Sequence, residues 1–548
     1  MSRTRRDRQQ RQKAAQNAEA AKAAAAAIQP PVPHAALWLS GAFLLPNLGA
    51  LACGFLLDDL PALVDNESLH IHSLRQLGHI WSNPYWTDRR GLALYRPVTQ
   101  TVWALAWAIG HGGHPMLFHA ICLALGLAVV LLLYRFLLDT PTPPRTAFIA
   151  ALLFAVFPIH TEATTSVVGT AELLAAAFGL AALIAFYRGQ EPWKSGQETE
   201  VRSRKSEVGR QESGAKIPTP YSGLLTSLAA LILFALAVFS KESAAAFAAV
   251  PLVFPPRNWR SRRSIVAAAG AGAVIAAALF AHHKFSQNSF IPPIDNPMGL
   301  LDAFPRILTA LWVQCLYIFK TIVPITLSPD YSYKEIPLVM GLDHLRAWAG
   351  LALAGGALFL VLRRRQYRAP VLIYAILFAS TANVLFSIGT IMGERLAYAP
   401  SIGIALLLAI LLARSRYWKP ILIAAVLLYG TRAAVRNLDW LNADRFYTKQ
   451  VQTSPHSAKS WYSYGALRSS RGDDAGAIAA YDKAIAIFPA YSEAFHNRGN
   501  ALVRLGRRQE AMESYRQCLR FDPGHNGARM NLLTLQAGLP LNPPRKHL

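Results

Sequence analysis

The sequence predicts an all-α protein in two parts. A multi-pass transmembrane helical domain of about 11 spans is followed by an α-solenoid of short helical hairpins. Three observations predict this. The 548 residues are 53% hydrophobic and only 16% charged, with mean hydropathy +0.25, whereas a soluble domain carries nearer ~25% charge. Apolar runs long enough to cross a bilayer recur along the first four-fifths. Near the C-terminus, five positions repeat at an offset of 34 residues.

Basic clusters orient the spans. They lie at Arg3 to Lys22, at Arg135 and Arg145, at Arg188 to Lys216, at Arg257 to Arg263, at Arg363 to Arg368 and at Arg414 to Lys419. Lys and Arg mark cytoplasmic loops, so successive clusters are separated by an even number of crossings. The net charge of +24 is thereby read as a membrane-surface signature that faces anionic lipid, with no nucleic-acid partner implied.

Residues 1–34 form a basic tail with seven Lys/Arg up to Pro33, too polar for the apolar core of a signal peptide and read as cytoplasmic. The membrane domain covers residues 35–436. Its first span is Ala35 to Leu57, and an outer loop follows over residues 58–115. Within that loop Val98 to Gly110 is roughly 20 Å long as a helix, too short to span and read as lying on the outer face.

Spans are then expected at Met116–Leu138, Thr146–Ile159, Ala171–Arg188, Ser222–Ser240, Ser243–Pro255 and Ser264–His282. The runs starting at Thr146 and Ser243 are short, and one is a candidate re-entrant segment. A cytoplasmic linker covers residues 188–221, and a second outer loop runs over 283–344. In that loop Ile307 to Val323 is read by parity as an interfacial helix or a hairpin. The last spans are Leu345–Leu362, Pro370–Ser387, Ala399–Ala413 and Pro420–Arg432. This puts the N-terminus inside and the C-terminus outside.

Residues 437–540 change period. Trp461, Gly465, Ala477, Tyr481 and Pro489 recur as Phe495, Gly499, Ala511, Tyr515 and Pro523. A large aromatic, a glycine at a helix contact, a small residue, an aromatic and a closing proline are the tetratricopeptide pattern. Ala443, Tyr447 and Pro455 fit the second half of an earlier repeat, and Asn526 to Gln536 supplies a cap. Such repeats imply a protein partner.

The polar groups that chemistry could use all fall at outer span ends or in outer loops. Asp58 and Asp59 follow the first apolar run, where paired acids repel and are costly. They suggest a base, a metal ligand or a proton site, against the plainer reading of a solvated helix end. Arg96, in Tyr95-Arg96-Pro97, has the planar fork that suits phosphate; a snorkelling anchor is the alternative. His160 and Glu162 sit between two spans and precede Gly169-Thr170-Ala171-Glu172. Lys241 and Glu242 interrupt two apolar runs and must be paired or wet. Asp330 and Tyr331 follow a Pro324 to Pro329 bend. Glu394-Arg395 precedes a span and reads as a pair that fixes helix positions. The four cysteines, Cys53, Cys122, Cys315 and Cys518, have no metal spacing, and no nucleotide-binding glycine loop is present.

These segments together resemble the transmembrane-and-tetratricopeptide-repeat (TMTC-type) O-mannosyltransferases. The resemblance lies in Leu57-Asp58-Asp59, Tyr95-Arg96-Pro97-Val98, Pro158-Ile159-His160-Thr161-Glu162-Ala163, Val168-Gly169-Thr170-Ala171-Glu172, Ser240-Lys241-Glu242, Leu327-Ser328-Pro329-Asp330-Tyr331 and Glu394-Arg395-Leu396-Ala397-Tyr398, in that order. It implies a GT-C glycosyltransferase that takes a sugar from a polyprenyl-phosphate carrier on the outer or lumenal side. Asp58 or Asp59 is then the expected base. Arg96, Lys241 and His160 are available to the donor phosphate, with Glu162, Glu242, Asp330, Tyr331, Glu394 and Arg395 in support. A divalent metal is compatible with this chemistry, and no other cofactor is implied. The acceptor is a hydroxyl, Ser/Thr of protein in the eukaryotic relatives. Departures from the family are Leu57 before the acid pair and a short repeat array. Ala-rich helices point to a bacterial inner membrane. A non-catalytic scaffold that recruits partners through its repeats is the main alternative, and a lipid-carrier flippase the second.

Overall fold

The computed structural model describes residues 32–85, 94–190, 222–256, 259–285 and 291–544. Most of the basic tail and most of the 188–221 linker lie outside the described residues. Every regular element among those described is helical.

The first apolar run forms α1 (Ala35–Asn47), which tightens into a 3-10 turn over Leu48–Ala52. The outer-loop helix α2 (Pro97–Ile109) starts with Pro97, which lacks the N–H that a first-turn residue would leave unpaired. It buries Thr99, Gln100, Trp103 and Ala104, as a helix lying against the bundle does. α3 (Pro115–Leu138) is a long apolar helix. α4 (Pro144–Val156) is broken at Pro158, beyond which the chain continues at 52°. Proline cannot donate to the helix ladder and clashes with the preceding turn.

α5 (Thr170–Gly189) runs through the middle of the bundle, with 89% of its apolar window buried. α6 (Ser222–Ser240) packs along it. The short run expected after Lys241 is a 3-10 helix, Glu242–Leu252. At about 2.0 Å rise per residue, it reaches further than an α-helix of the same length.

α7 (Arg262–Phe285) and α9 (Leu345–Arg363) are peripheral, with only 6% and 11% of their apolar windows covered by protein. Between them α8 (Ala303–Ile322) carries one buried stripe that includes Leu308, Val313 and Tyr317. α10 (Arg365–Phe378), α11 (Ser401–Ala413) and α12 (Trp418–Leu438) complete the domain. Among the described residues, six helices are long and apolar enough to cross a membrane, seven if the bent pair at Pro158 is one span. The remaining expected spans are shorter helices. Helices in lipid associate by close packing of small residues. At Gly403 this is strict, because a Cβ there would run into the Pro370 carbonyl and Tyr374.

The repeats fold as hairpins: α13 (Ala443–Thr453), α14 (Ala458–Ser470), α15 (Asp474–Ile487), α16 (Ser492–Arg504), α17 (Arg508–Phe521) and α18 (Asn526–Gln536). Gly465 lies against the Tyr481 ring and Gly499 against the Tyr515 ring, which is why the glycine and the second aromatic share one period. Ala477 and Ala511 are fully buried. α13 seats the array on the membrane domain. Its Phe446 and Tyr447, with Trp440, enclose Cys53, Leu56 and Leu57 in one apolar cluster.

Candidate active site

The chain emerging from the first span turns sharply at Leu57, whose φ is 52°. That left-handed conformation costs an L-residue roughly 1–2 kcal/mol, and it is held by packing against the α13 cluster. The turn separates the two acids. Asp58 keeps 31% of its side chain exposed and meets Arg395 Nη2 at 3.3 Å. Asp59 is 1% exposed. It accepts from Val168 N at 2.8 Å, Ser166 Oγ at 3.2 Å and Leu56 N at 3.3 Å. Burial pushes the Asp59 carboxyl up to about 6 against these hydrogen bonds. Asp59 thus pins the first loop to the turn after α4, a turn that is tight because Gly169 packs directly on the Ala163 carbonyl.

Arg395 is the hub. Its backbone N–H donates to Glu162 Oε2 at 2.9 Å and its Nη1 to Glu162 Oε1 at 3.1 Å, while Nη2 holds Asp58. Arg96 makes a two-pronged pair with Glu242, Nη2 to Oε1 at 2.6 Å and Nε to Oε2 at 3.0 Å. Its guanidinium lies 5.3 Å from the centre of the Tyr85 ring. Lys241 Nζ donates to Glu172 Oε1, and both side chains are nearly fully buried. The two groups form one charged centre. Lys241 and Glu242 are neighbours in the chain, and Leu396, next to Arg395, lines one cleft with Glu172 and Lys241. Three cations stand against four carboxylates there. This small cleft opens beside the centre, where Glu172, Lys241 and Ser243 stand among apolar side chains such as Phe247 and Leu396. Phe247 also lines a long apolar groove with Gly179, Leu183, Phe186, Leu231 and Phe234.

The other expected residues lie elsewhere. His160 is 5% exposed. Its Nε2 is 2.8 Å from Ser401 Oγ, and the ring packs among Phe154, Phe157 and Tyr398. Ser401 Oγ already donates to the Tyr398 carbonyl at 2.7 Å, so Nε2 is the donor in the pair. Glu394 points away from its neighbour Arg395 and is fully buried. It accepts from Tyr331 Oη and Ser328 N, both at 2.6 Å. Burial pushes Glu394 up to about 7; nearby Arg436 opposes the rise and Glu162 adds to it. Asp330 binds Ser332, Ser457 and Ser460 at the seat of the repeats.

Two members of the centre escape the sequence reading. Tyr85 stands in a polar loop with no period to mark it. Glu172 carries a signal, because a carboxylate in an apolar helix demands a countercharge, but its partner Lys241 is 69 residues away. Among the described residues no three His, Cys, Asp or Glu side chains converge as metal ligands. The carboxylates of the centre are paired with cations instead.

The fold and this centre define a multi-pass helical membrane protein that carries a charged site at its span ends and a tetratricopeptide array behind it. The family model described as "Protein O-mannosyl-transferase TMTC, DUF1736" matches residues 285–358, and models for the TPR and tetratricopeptide repeat match 465–506 and 492–525. The chain is similar to human Protein O-mannosyl-transferase TMTC1, 27% identical across 85% of this chain and 56% of that one. It is also similar to mouse TMTC3, 25% identical across 85% and 52%, and to mouse TMTC4, 25% identical across 78% and 63%. The chain spans about half the length of the curated relatives it matches, 52–63% in these three. These matches show a chain that is similar to the TMTC-type O-mannosyltransferases over most of its length. An oligosaccharyltransferase from Archaeoglobus fulgidus aligns with 82% of the chain at 14% identity, but its TM-score of 0.34 is too low to bear on the fold.

Proposed function

We propose that the protein is a GT-C-type membrane glycosyltransferase. It moves a sugar, mannose or another hexose, from a polyprenyl-phosphate carrier to a hydroxyl of a protein Ser or Thr on the extracytoplasmic face. One observation carries this reading: an accessible carboxylate, Asp58, shares a charged centre with the Arg96 fork. A small cleft lies beside that centre, and Phe247 lines both this cleft and an apolar groove suited to a lipid tail.

Asp58 accepts the proton of the acceptor hydroxyl as its oxygen bonds to the anomeric carbon. The bond from that carbon to the phosphate oxygen breaks, and the carrier leaves as polyprenyl phosphate. Arg96 and Lys241 face the charge that develops on the leaving phosphate. Glu242 occupies the Arg96 fork in the geometry a phosphate would take. With its side chain 49% exposed, it has room to swing aside when the donor binds. Arg395 orients Asp58. A divalent metal, if one is bound, would add charge stabilisation at the leaving phosphate, and no step above is routed through it.

Glycopeptide mass spectrometry of host cells with and without the chain tests the reading. Hexose on Ser/Thr that appears with the wild type and vanishes with Asp58→Asn is the expected result. An unchanged glycoproteome would remove it.

A further inference from the structure

Both halves of the Asp58–Arg395 pair are held in place by the repeats. On one side, Leu56 and Leu57, which aim Asp58, are packed by Trp440 and by Phe446 and Tyr447 of α13. On the other side, the path to Arg395 runs through the second outer loop. Ser457 and Ser460 at the start of α14 donate to Asp330. Ser454 Oγ reaches the Asp330 carbonyl and Ser328 Oγ, each at 2.7 Å. Ser328 N and Tyr331 Oη in turn clamp Glu394 Oε1, and Glu394 is covalently next to Arg395. Arg436 approaches Glu394 at 3.8 Å and binds Asp439 at 3.2 Å, so the linker into the repeats closes the same path. Backbone bonds add stiffness, Lys334 N to the His456 carbonyl at 3.0 Å and Ala458 N to the Tyr333 carbonyl at 2.7 Å.

A tether that only brings an acceptor close would need none of this. Its effect would depend on linker length, not on buried hydrogen bonds to the charged centre. We propose that the first repeat helices are a positioning element of the active site, which set the Asp58–Arg395 pair through Leu57 and through the Asp330–Tyr331–Glu394 path. Asp330, Tyr331, Glu394 and Ser454 are then positioning residues. The catalytic role of the pair rests on the function proposed above; its mechanical dependence on the repeats does not.

The test uses the full chain in lipid nanodiscs, with two variants that cut the path at different points. Tyr331→Phe removes one hydroxyl between the loop and Glu394. Ser454→Ala removes one from the repeat side. Hydrogen–deuterium exchange is read at residues 393–398 and 53–60, with α17 as reference. The expected result is faster exchange at 393–398 in both variants and an unchanged α17. Protection at 393–398 equal to wild type in both variants would overturn the proposal, whatever the activity.

Where the wild type transfers sugar, kcat for a short soluble acceptor should fall ~10–100-fold, the scale of a small misplacement of reacting groups, with donor KM little changed. A rise confined to the KM of a long acceptor would mean recruitment and would also overturn it. Absence of transfer by the wild type would remove the proposed function while the exchange result still decides this one.

Discussion

At the scale of single residues, the two acids at the end of the first span make different predictions although they are neighbours. Asp58→Asn should lower transfer by about 10²–10⁴-fold, the contribution of a general base, while the thermal midpoint of the purified protein stays put. Asp59→Asn should do the reverse first. Asn offers one acceptor oxygen where Asp59 now takes three donors through two, and a buried donor left unpaired costs about 1–3 kcal/mol. A lowered midpoint with residual transfer is the expected outcome; equal midpoints for both variants would contradict the division. Glu172→Gln should be destabilising by about 3–5 kcal/mol, because it strands the buried Lys241 charge. Thermal unfolding and expression level check it. The importance of Asp58 and Asp59 is legible in the sequence, since adjacent carboxylates at a span end are costly. Their division is not, because it depends on a left-handed Leu57 and on where Val168 falls, neither of which has a local signature.

At the scale of elements, the turn 393–398 and the break after α4 matter most. Glu394 and Asp59 both have folded values raised above their ordinary ones, to about 7 and about 6. The folded protein therefore holds protons that the unfolded chain releases, from about pH 4 upward for Asp59 and from about pH 4.5 for Glu394. Their contribution to stability falls as pH rises through those windows. Midpoints measured in detergent should decline between pH 5 and pH 7, and Glu394→Gln should flatten the upper half of that decline. A steeper decline in the variant would contradict the assignment. Helices α3, α5 and α7 are legible from their apolar length. The 3-10 stretch Glu242–Leu252 is not distinguishable from a short α-helix by hydropathy, because Ala244 to Leu252 is apolar throughout and carries no period. The pairings Arg96–Glu242 and Arg395–Glu162 are also invisible, since they join residues 146 and 233 positions apart.

At the scale of the whole molecule, the basic loops predict a cytoplasmic N-terminus and extracytoplasmic repeats. Reporter fusions after Arg364 and Gly538 should report opposite sides, and the same side for both would overturn the orientation. Truncation after Arg436 should abolish transfer to short and long acceptors alike, because it removes the packing around Leu57 as well as the array; loss for the long acceptor alone would favour a simple recruiting role. The 34-residue period makes the repeats legible, yet nothing in it shows what they sit on. Their seat is the segment around Asp295 and residues 328–335, which lies within the stretch matched by the TMTC family model. The contacts across it are of two kinds. The backbone bonds at 333–334 and 456–458 are indifferent to side-chain identity, whereas Lys459–Asp295 and the Asp330 serines are matched sets. A chimera that exchanges residues 437–540 alone with a relative would set foreign helices on a native seat and leave Asp330 among mismatched groups. Moving residues 291–340 with them transplants seat and occupant together. The exchangeable module of this protein is thus discontinuous along the chain, and a boundary drawn where the repeats begin would cut through its middle.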